Sequence, residues 1–252
     1  MTLNTRHILL MTATITPDGS PNLARTNPVD RCRDYMRALS FYLKFIDGPL
    51  HGIVFVENSN SDTSNLRSIV SDRRLSSRVE FIDNYGVNTY SGKGRAFGEF
   101  KLLDYAMGCS SMLREASVIW KVTGRYIVKN LPQMIRSAPN FDVYCDMKNY
   151  PLRWMDMRLI AWRPEIYNLV FSGIADELNE RMGEIAMRDY LPQRVANVTS
   201  TGQDLRFIQR FRSEPLVDGI RGYDNRNYSL GRNLAKFYVR TISRILLPWY
   251  WI

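Results

Sequence analysis

The sequence predicts an α/β fold: a mixed, mostly parallel sheet flanked by helices, with a basic helical extension at the C-terminus. Three observations carry that reading. Short apolar, β-branched runs alternate with amphipathic stretches through the first half of the chain. Polar clusters follow the carboxyl ends of those runs, where parallel sheets bind their ligands. The chain has 252 residues, 45% hydrophobic and 23% charged, which is enough to bury roughly 70% of its surface without disulfides.

Residues 7–15 form an apolar, branched run that stops at Pro17 and Gly19, as a buried strand does. Asp30 is expected to cap a helix reaching about Phe45, with Tyr35, Leu39, Tyr42 and Leu43 on one stripe. Residues 52–56 repeat the strand pattern and end in the polar stretch 57–62. A short helix follows over 63–70, then a third strand over 79–82 and a glycine-containing loop over 83–94. From 95 to 107 the apolar period through Phe97, Phe100, Leu103 and Met107 is helical. Residues 118–122 give a fourth strand that runs into Thr123, Gly124, Arg125 and Tyr126. Beyond 130, residues 141–146 and 157–162 read as strands around a polar loop. Residues 174–190 read as one helix, with Leu178, Met182, Ile185 and Leu191 near one face.

Several classes are excluded. No GxGxxG follows the first strand and no GxxxxGK[ST] occurs, which argues against dinucleotide dehydrogenases and P-loop NTPases. Three scattered cysteines (Cys32, Cys109, Cys145) and two histidines do not make a structural zinc site. Cys109 and Cys145 read as packed small hydrophobes, and His7 and His51 as structural residues preceding strands. No apolar run approaches the eighteen or so residues of a membrane span. The N-terminal run lacks a clear cleavage signal, so a cytoplasmic location is expected.

The net charge is +9. Residues 205–252 hold nine Lys and Arg against three acids, so they carry most of it. Arg232, Lys236, Arg240 and Arg244 recur every four residues, while Leu234, Phe237, Tyr238, Ile242 and Ile245 lie largely away from them. With Trp249, Tyr250 and Trp251 ending the chain, this predicts a helix in the headgroups of an anionic leaflet. Packing of its apolar face on the domain or on another subunit is the competing reading. Arg206, Phe207, Arg210, Phe211 and Arg212 would also suit RNA, although no RNP, KH or zinc-finger pattern is present.

The order of these motifs resembles a GT-A-type glycosyltransferase of bacterial surface polysaccharide and lipopolysaccharide biosynthesis. The resemblance spans roughly residues 6–200. It implies a GT-A-like, Rossmann-like catalytic domain over 1–204, with a nucleotide-sugar half (1–130), an acceptor half (131–204) and the extension 205–252. It implies donor contacts from Thr12 and Thr14 after the first strand. Glu57, Asn58 and Ser59 would hold base and ribose after the second, and Arg95 and Glu99 would act from the following helix. Where the family carries Asp-x-Asp, this chain has Lys121 and Arg125, cations that can stabilise a departing diphosphate directly. No metal or other cofactor is then required. Glu184 occupies the place of the family's late acidic base, with Asp156, Asp142 and Asp146 as alternatives. Arg95 and Glu99 also stand one helical turn apart and would suit an ordinary ion pair.

The expected partners are a nucleotide sugar, a glycan or lipid-linked acceptor and an anionic membrane surface, with no nucleic acid. Homo-oligomerisation is left open. The expected location is the inner face of the cell membrane, as a peripheral protein. The alternatives are a basic RNA-binding module and a membrane-surface module without catalysis. A nucleotidyltransferase on the same fold would need a metal-binding acidic pair, which the fourth strand end lacks.

Overall fold

A computed structural model describes residues 5–17, 23–83, 94–178, 183–228, 231–247 and 249–252. The readings at Gly19 and Met182, and nearly all of the 83–94 loop, lie outside these residues, as do the side chains of Arg95 and Arg232. The first half alternates strand and helix: β1 (His7–Ala13), α1 (Pro28–Tyr42), β2 (Gly52–Glu57), α2 (Ser64–Asp72), β3 (Val79–Ile82), α3 (Arg95–Cys109), α4 (Ser111–Arg114) and β4 (Val118–Thr123). Shorter pieces follow: β5 (Ile127–Val128), α5 (Leu131–Ser137), β6 (Val143–Tyr144), β7 (Met147–Lys148), β8 (Trp154–Met155) and β9 (Leu159–Trp162). The chain continues through α6 (Pro164–Val170), α7 (Gly183–Ser200), β10 (Phe207–Ile208), β11 (Val217–Asp218) and α8 (Arg232–Leu246).

Seven strands form the main sheet in the order β10-β6-β9-β4-β1-β2-β3. The four long-range neighbours β3, β2, β1 and β4 are parallel, and β9 turns antiparallel against β4. Ala13 is level with Glu57 and Thr12 with Thr123, so the carboxyl ends of β1, β2 and β4 finish along one edge. That edge holds the polar clusters.

The two faces divide the core by strand parity. Leu9, Met11, Phe55 and Trp120 pack with Tyr35, Leu39 and Tyr42 of α1. Ile8, Leu10, Val54 and Ile119 pack with Phe100 and Leu103 of α3 and with Met187 and Leu191 of α7. Burial on both faces explains why these strands read as continuous apolar runs.

Three expectations change. The cap of α1 is Asn27, whose side chain accepts the Val29 amide at 2.9 Å, with Pro28 in the first turn. Asp30 lies inside the first turn, where its charge suits the helix dipole. Residues 174–190 are not one helix: Ile174–Glu177 is a 3-10 turn, Leu178 is extended, and α7 runs from Gly183 through Pro192 to Ser200. The apolar period could not register that break, because Ile174, Leu178, Met187 and Leu191 all enter the same core. Residues 205–252 also supply β10 to the main sheet and pair β11 with β5.

The third change concerns α8. Its expected outward basic stripe faces the protein at two positions. Arg244 binds Asp146 at 2.7 Å and Glu214 at 3.0 Å, and Arg240 binds Glu214 at 3.3 Å. Lys148 joins the same acids at 2.6 and 3.0 Å. Asp146, Lys148 and Glu214 are buried, and buried carboxylates require such partners. Burial raises the Asp146 pKa, but Lys148 and Arg244 outweigh it and hold the group ionised below its ordinary range. Tyr238, Val239, Ile242, Ile245 and Leu246 of α8 are left facing solvent.

Candidate active site

Glu57 closes the edge between β1 and β2. It is fully buried. Oε1 accepts the Ile15 amide at 2.9 Å and the Ser59 hydroxyl, and Oε2 accepts the amides of Ser59 at 2.9 Å and Ser61 at 3.2 Å. Four donors use the four acceptor positions of a carboxylate. Glu57 therefore pins the loops after β1 and β2 to each other rather than offering an oxygen to a ribose. The Thr16 amide donates to Ser59 Oγ at 2.9 Å and reinforces the same clamp. Thr14 is held through its backbone, its carbonyl accepting Arg31 Nε at 2.7 Å and its amide donating to the Tyr35 hydroxyl at 2.9 Å. Asn58 keeps its backbone on Ala13, while its buried Oδ1 has no partner among the described residues. Beyond this clamp, an open polar depression is lined by Asn60, Ser61, Asp62, Thr63, Arg67 and Asp83.

A second cluster forms where β1 and β4 meet α3. The hydroxyls of Thr12 and Thr123 donate to Glu99 Oε1 at 3.2 and 3.5 Å, and Lys121 ion-pairs with the same carboxylate. Lys121 is fully buried and donates to the Met157 carbonyl at 2.6 Å. The structure thus brings Thr12, Glu99 and Lys121 together. Lys121, expected as a cation for the departing diphosphate, is instead paired with Glu99, which arrives from a different element. Gly124 is required at the crossing: a Cβ there would lie 2.7 Å from the Thr12 carbonyl oxygen.

Arg125 stands beyond this crossing in a cluster of guanidinium groups and tyrosines. Its guanidinium lies 5.0 Å from the Tyr126 ring centre, and Tyr126 packs edge-on against Tyr228 at 5.2 Å. Arg158 and Arg221 lie 4.8 and 5.7 Å from the Tyr228 ring. Cation–π contact holds these groups on the rings, while Asp156 and Asp224 ion-pair with Arg158 and Arg221. Burial, partly offset by the Arg125 charge, pushes the Tyr126 hydroxyl up to about 12, so it stays protonated. The backbone at Gly222 packs on the Arg125 guanidinium and accepts the amides of Ala24 and Arg25 at 2.8 and 2.9 Å. The segment after β11 thereby covers Arg125 and ties it to residues 24 and 25. Arg125 Nη1 and Arg221 Nε are buried with no partner among the described residues, so the cluster retains donors for an anion.

The carboxylates differ in availability. Asp156 is buried and receives the Arg158 amide at 3.0 Å and its Nε at 2.8 Å. Burial raises its pKa, but the Arg158 charge and hydrogen bonds prevail and bring it down to about 2. A group that acidic is a weak proton acceptor. Asp142 accepts the Arg206 amide at 2.8 Å, and Asp146 belongs to the buried network behind α8. Glu184 is exposed in the first turn of α7. The preceding Gly183 lies against Ala96, which puts Glu184 beside the start of α3. No group of three or more His, Cys, Asp or Glu suited to a metal ion occurs among the described residues. The β4 end carries Lys121 and Arg125 in place of an acidic pair.

Sequence reading missed Arg158, Arg221, Tyr126 and Tyr228 as site residues. Only Asp156-Met-Arg158 carried a local signal, an acid and a base two positions apart at the turn between β8 and β9.

No family model and no curated protein matches the sequence. Solved structures do resemble the fold. A protein from Bacillus anthracis, assigned as a glucose-1-phosphate thymidylyltransferase and solved with sucrose, is similar at a TM-score of 0.50 and 7% identity, covering 93% of this chain and 94% of that one. Glucosyl-3-phosphoglycerate synthase of Mycobacterium tuberculosis, solved with manganese, uridine diphosphate and glucosyl-3-phosphoglycerate, gives 0.47 and 10% over 96% and 79% of the two chains. A protein from Desulfovibrio desulfuricans, assigned as a nucleotide-diphospho-sugar transferase, gives 0.45 and 14% over 81% and 79%. The mixed, mostly parallel sheet flanked by helices is the fold of this chain, and the Bacillus anthracis protein shares it.

Proposed function

We propose that the protein is a glycosyltransferase that moves a sugar from a nucleotide-sugar donor to a glycan or lipid-linked acceptor of surface polysaccharide or lipopolysaccharide synthesis. The observation that carries this reading is the guanidinium cluster of Arg125, Arg158 and Arg221 at the end of β4, with two buried N–H groups unpartnered. Such donors match the oxygens of a diphosphate. In the transfer, the bond from the sugar's anomeric carbon to the diphosphate oxygen breaks, and its electron pair leaves with the phosphate. The acceptor hydroxyl forms the new bond and gives its proton to a carboxylate, for which exposed Glu184 is the assigned candidate. Arg125 takes the developing phosphate charge, and that role needs no divalent cation. Lys121 acts as a positioning residue through Glu99. The base and ribose lie along the Asn58–Ser59 loop that Glu57 holds in place. We place the reaction at the cytoplasmic face of the membrane.

The test is nucleoside diphosphate release from a panel of UDP-, GDP-, CMP- and dTDP-linked sugars, with release of the monophosphate counted for CMP donors. Turnover of one donor that persists in EDTA supports the reading. No release from any donor overturns it. Synthesis of a nucleotide sugar from a nucleoside triphosphate and a sugar phosphate would also overturn it, and would assign nucleotidyl transfer instead.

A further inference from the structure

Helix α8 is built inside out for a helix on a globular protein. Arg240 and Arg244 face inward onto Glu214 and Asp146, and the Arg240 guanidinium also lies 5.9 Å from the Trp154 ring. Tyr238, Val239, Ile242, Ile245 and Leu246 face outward at helical spacing, with Ile245 at 73% exposure. The stripe continues past the helix into Leu247, Trp249 and Tyr250, Trp249 also being 73% exposed. A second element widens it. The Asn149 and Tyr150 amides donate to the Trp251 carbonyl at 2.8 and 3.2 Å, the Tyr150 and Tyr250 rings lie 5.9 Å apart, and Tyr150 and Leu152 are exposed beside them. A continuous apolar surface of this kind marks an interaction site.

We propose that this surface inserts into the interfacial layer of a lipid bilayer with anionic headgroups. The proposal deepens the membrane location given above. Charge selects the occupant. Residues 231–252 contain no acid, and Lys236 is exposed on the same helix. A symmetric contact with a second copy would bring together two chains of net charge +9, whereas anionic headgroups attract a chain of that charge. The outward side chains are branched aliphatics ended by Trp and Tyr, the residue types that settle at the boundary between headgroups and acyl chains. The inward arginines change the mechanism expected from the sequence. They anchor the helix to the domain through the buried acids, and the apolar side chains make the membrane contact.

The experiment is flotation of the full chain with phosphatidylcholine vesicles, with and without phosphatidylglycerol, against the double variant Ile242→Glu/Leu246→Glu. Both side chains are exposed, so the variant keeps its packing, and circular dichroism with nucleotide binding checks this independently. The wild type should float with the anionic vesicles, at least about tenfold more than the variant. Part of that binding should survive high salt, because the contact is apolar. A wild type that does not float, or a variant that floats equally, overturns the proposal. A solution dimer that the same substitutions dissociate overturns it too, by making the face an interface between copies. Nucleotide binding without flotation removes this surface and leaves the transfer reading standing. Flotation without nucleotide binding upholds the surface and removes the transfer reading.

Discussion

At the residue scale, Lys121 and Arg125 lie four positions apart and have different surroundings. Lys121 ends on a carboxylate and a carbonyl, in a fully buried site. Arg125 ends on Tyr126, over its ring and on its hydroxyl at 3.0 Å, and keeps an N–H without a partner among the described residues. Loss of one charge-assisted contact in a dry cleft costs on the order of 2–4 kcal/mol of transition-state stabilisation. Arg125→Ala should therefore retain its fold and lose roughly two to three decades of transfer rate, in EDTA as well as without it. Full activity in that variant, or restoration of the wild type by manganese after EDTA, would remove Arg125 from the mechanism. Residue types at the strand ends were legible in the sequence, but their pairing was not. Glu99 meets Lys121 only because α3 returns beside β4, and Gly222 meets Arg125 only because the segment after β11 folds back over it. His7 gives a second residue-scale prediction. Its Nδ1 accepts Trp120 Nε1 at 3.2 Å, and burial lowers its pKa from 6.5 to about 4. Between those values the unfolded chain binds a proton that the folded chain does not, so this contribution to stability falls as pH drops from 6.5 to about 4. Urea midpoints at about pH 7 and about pH 5 should differ more in the wild type than in His7→Gln. An equal difference would assign the pH dependence to other groups.

At the scale of elements, strands buried on both faces announced themselves as apolar runs, and β3 begins and ends where its pattern does. The two-residue strands β5, β6, β7, β8, β10 and β11 are too short to set up any alternation. The orientation of α8 was hidden for a different reason. A stripe of cations normally faces water, and nothing local to 232–246 discloses that Asp146 and Glu214 lie buried beneath it. Removing one partner from a buried ion pair costs roughly 3–5 kcal/mol, because the acids left behind remain desolvated. Arg244→Met should therefore lower the urea midpoint markedly, and Arg244→Lys should recover part of it. A midpoint unchanged in Arg244→Met would mean that α8 is held by other contacts.

At the scale of the whole molecule, parallel strands bring three carboxyl ends to one edge, and Glu57 locks two of their loops together. The guanidinium cluster stands past the third, with Arg125 covered by the segment at Gly222. Sheet class followed from alternation, and the edge that gathers the polar runs followed from where those runs fall. The cover over Arg125 did not, since residues 219–228 reach it only through tertiary folding. The central claim is that this edge binds a nucleotide sugar through its diphosphate. Isothermal titration calorimetry in EDTA, with UDP-, GDP-, CMP- and dTDP-linked sugars and with the matching nucleosides, addresses it directly. One donor should bind below roughly millimolar concentration and clearly more tightly than its nucleoside. Absence of binding by every donor, or equal affinity for donor and nucleoside, would contradict the account.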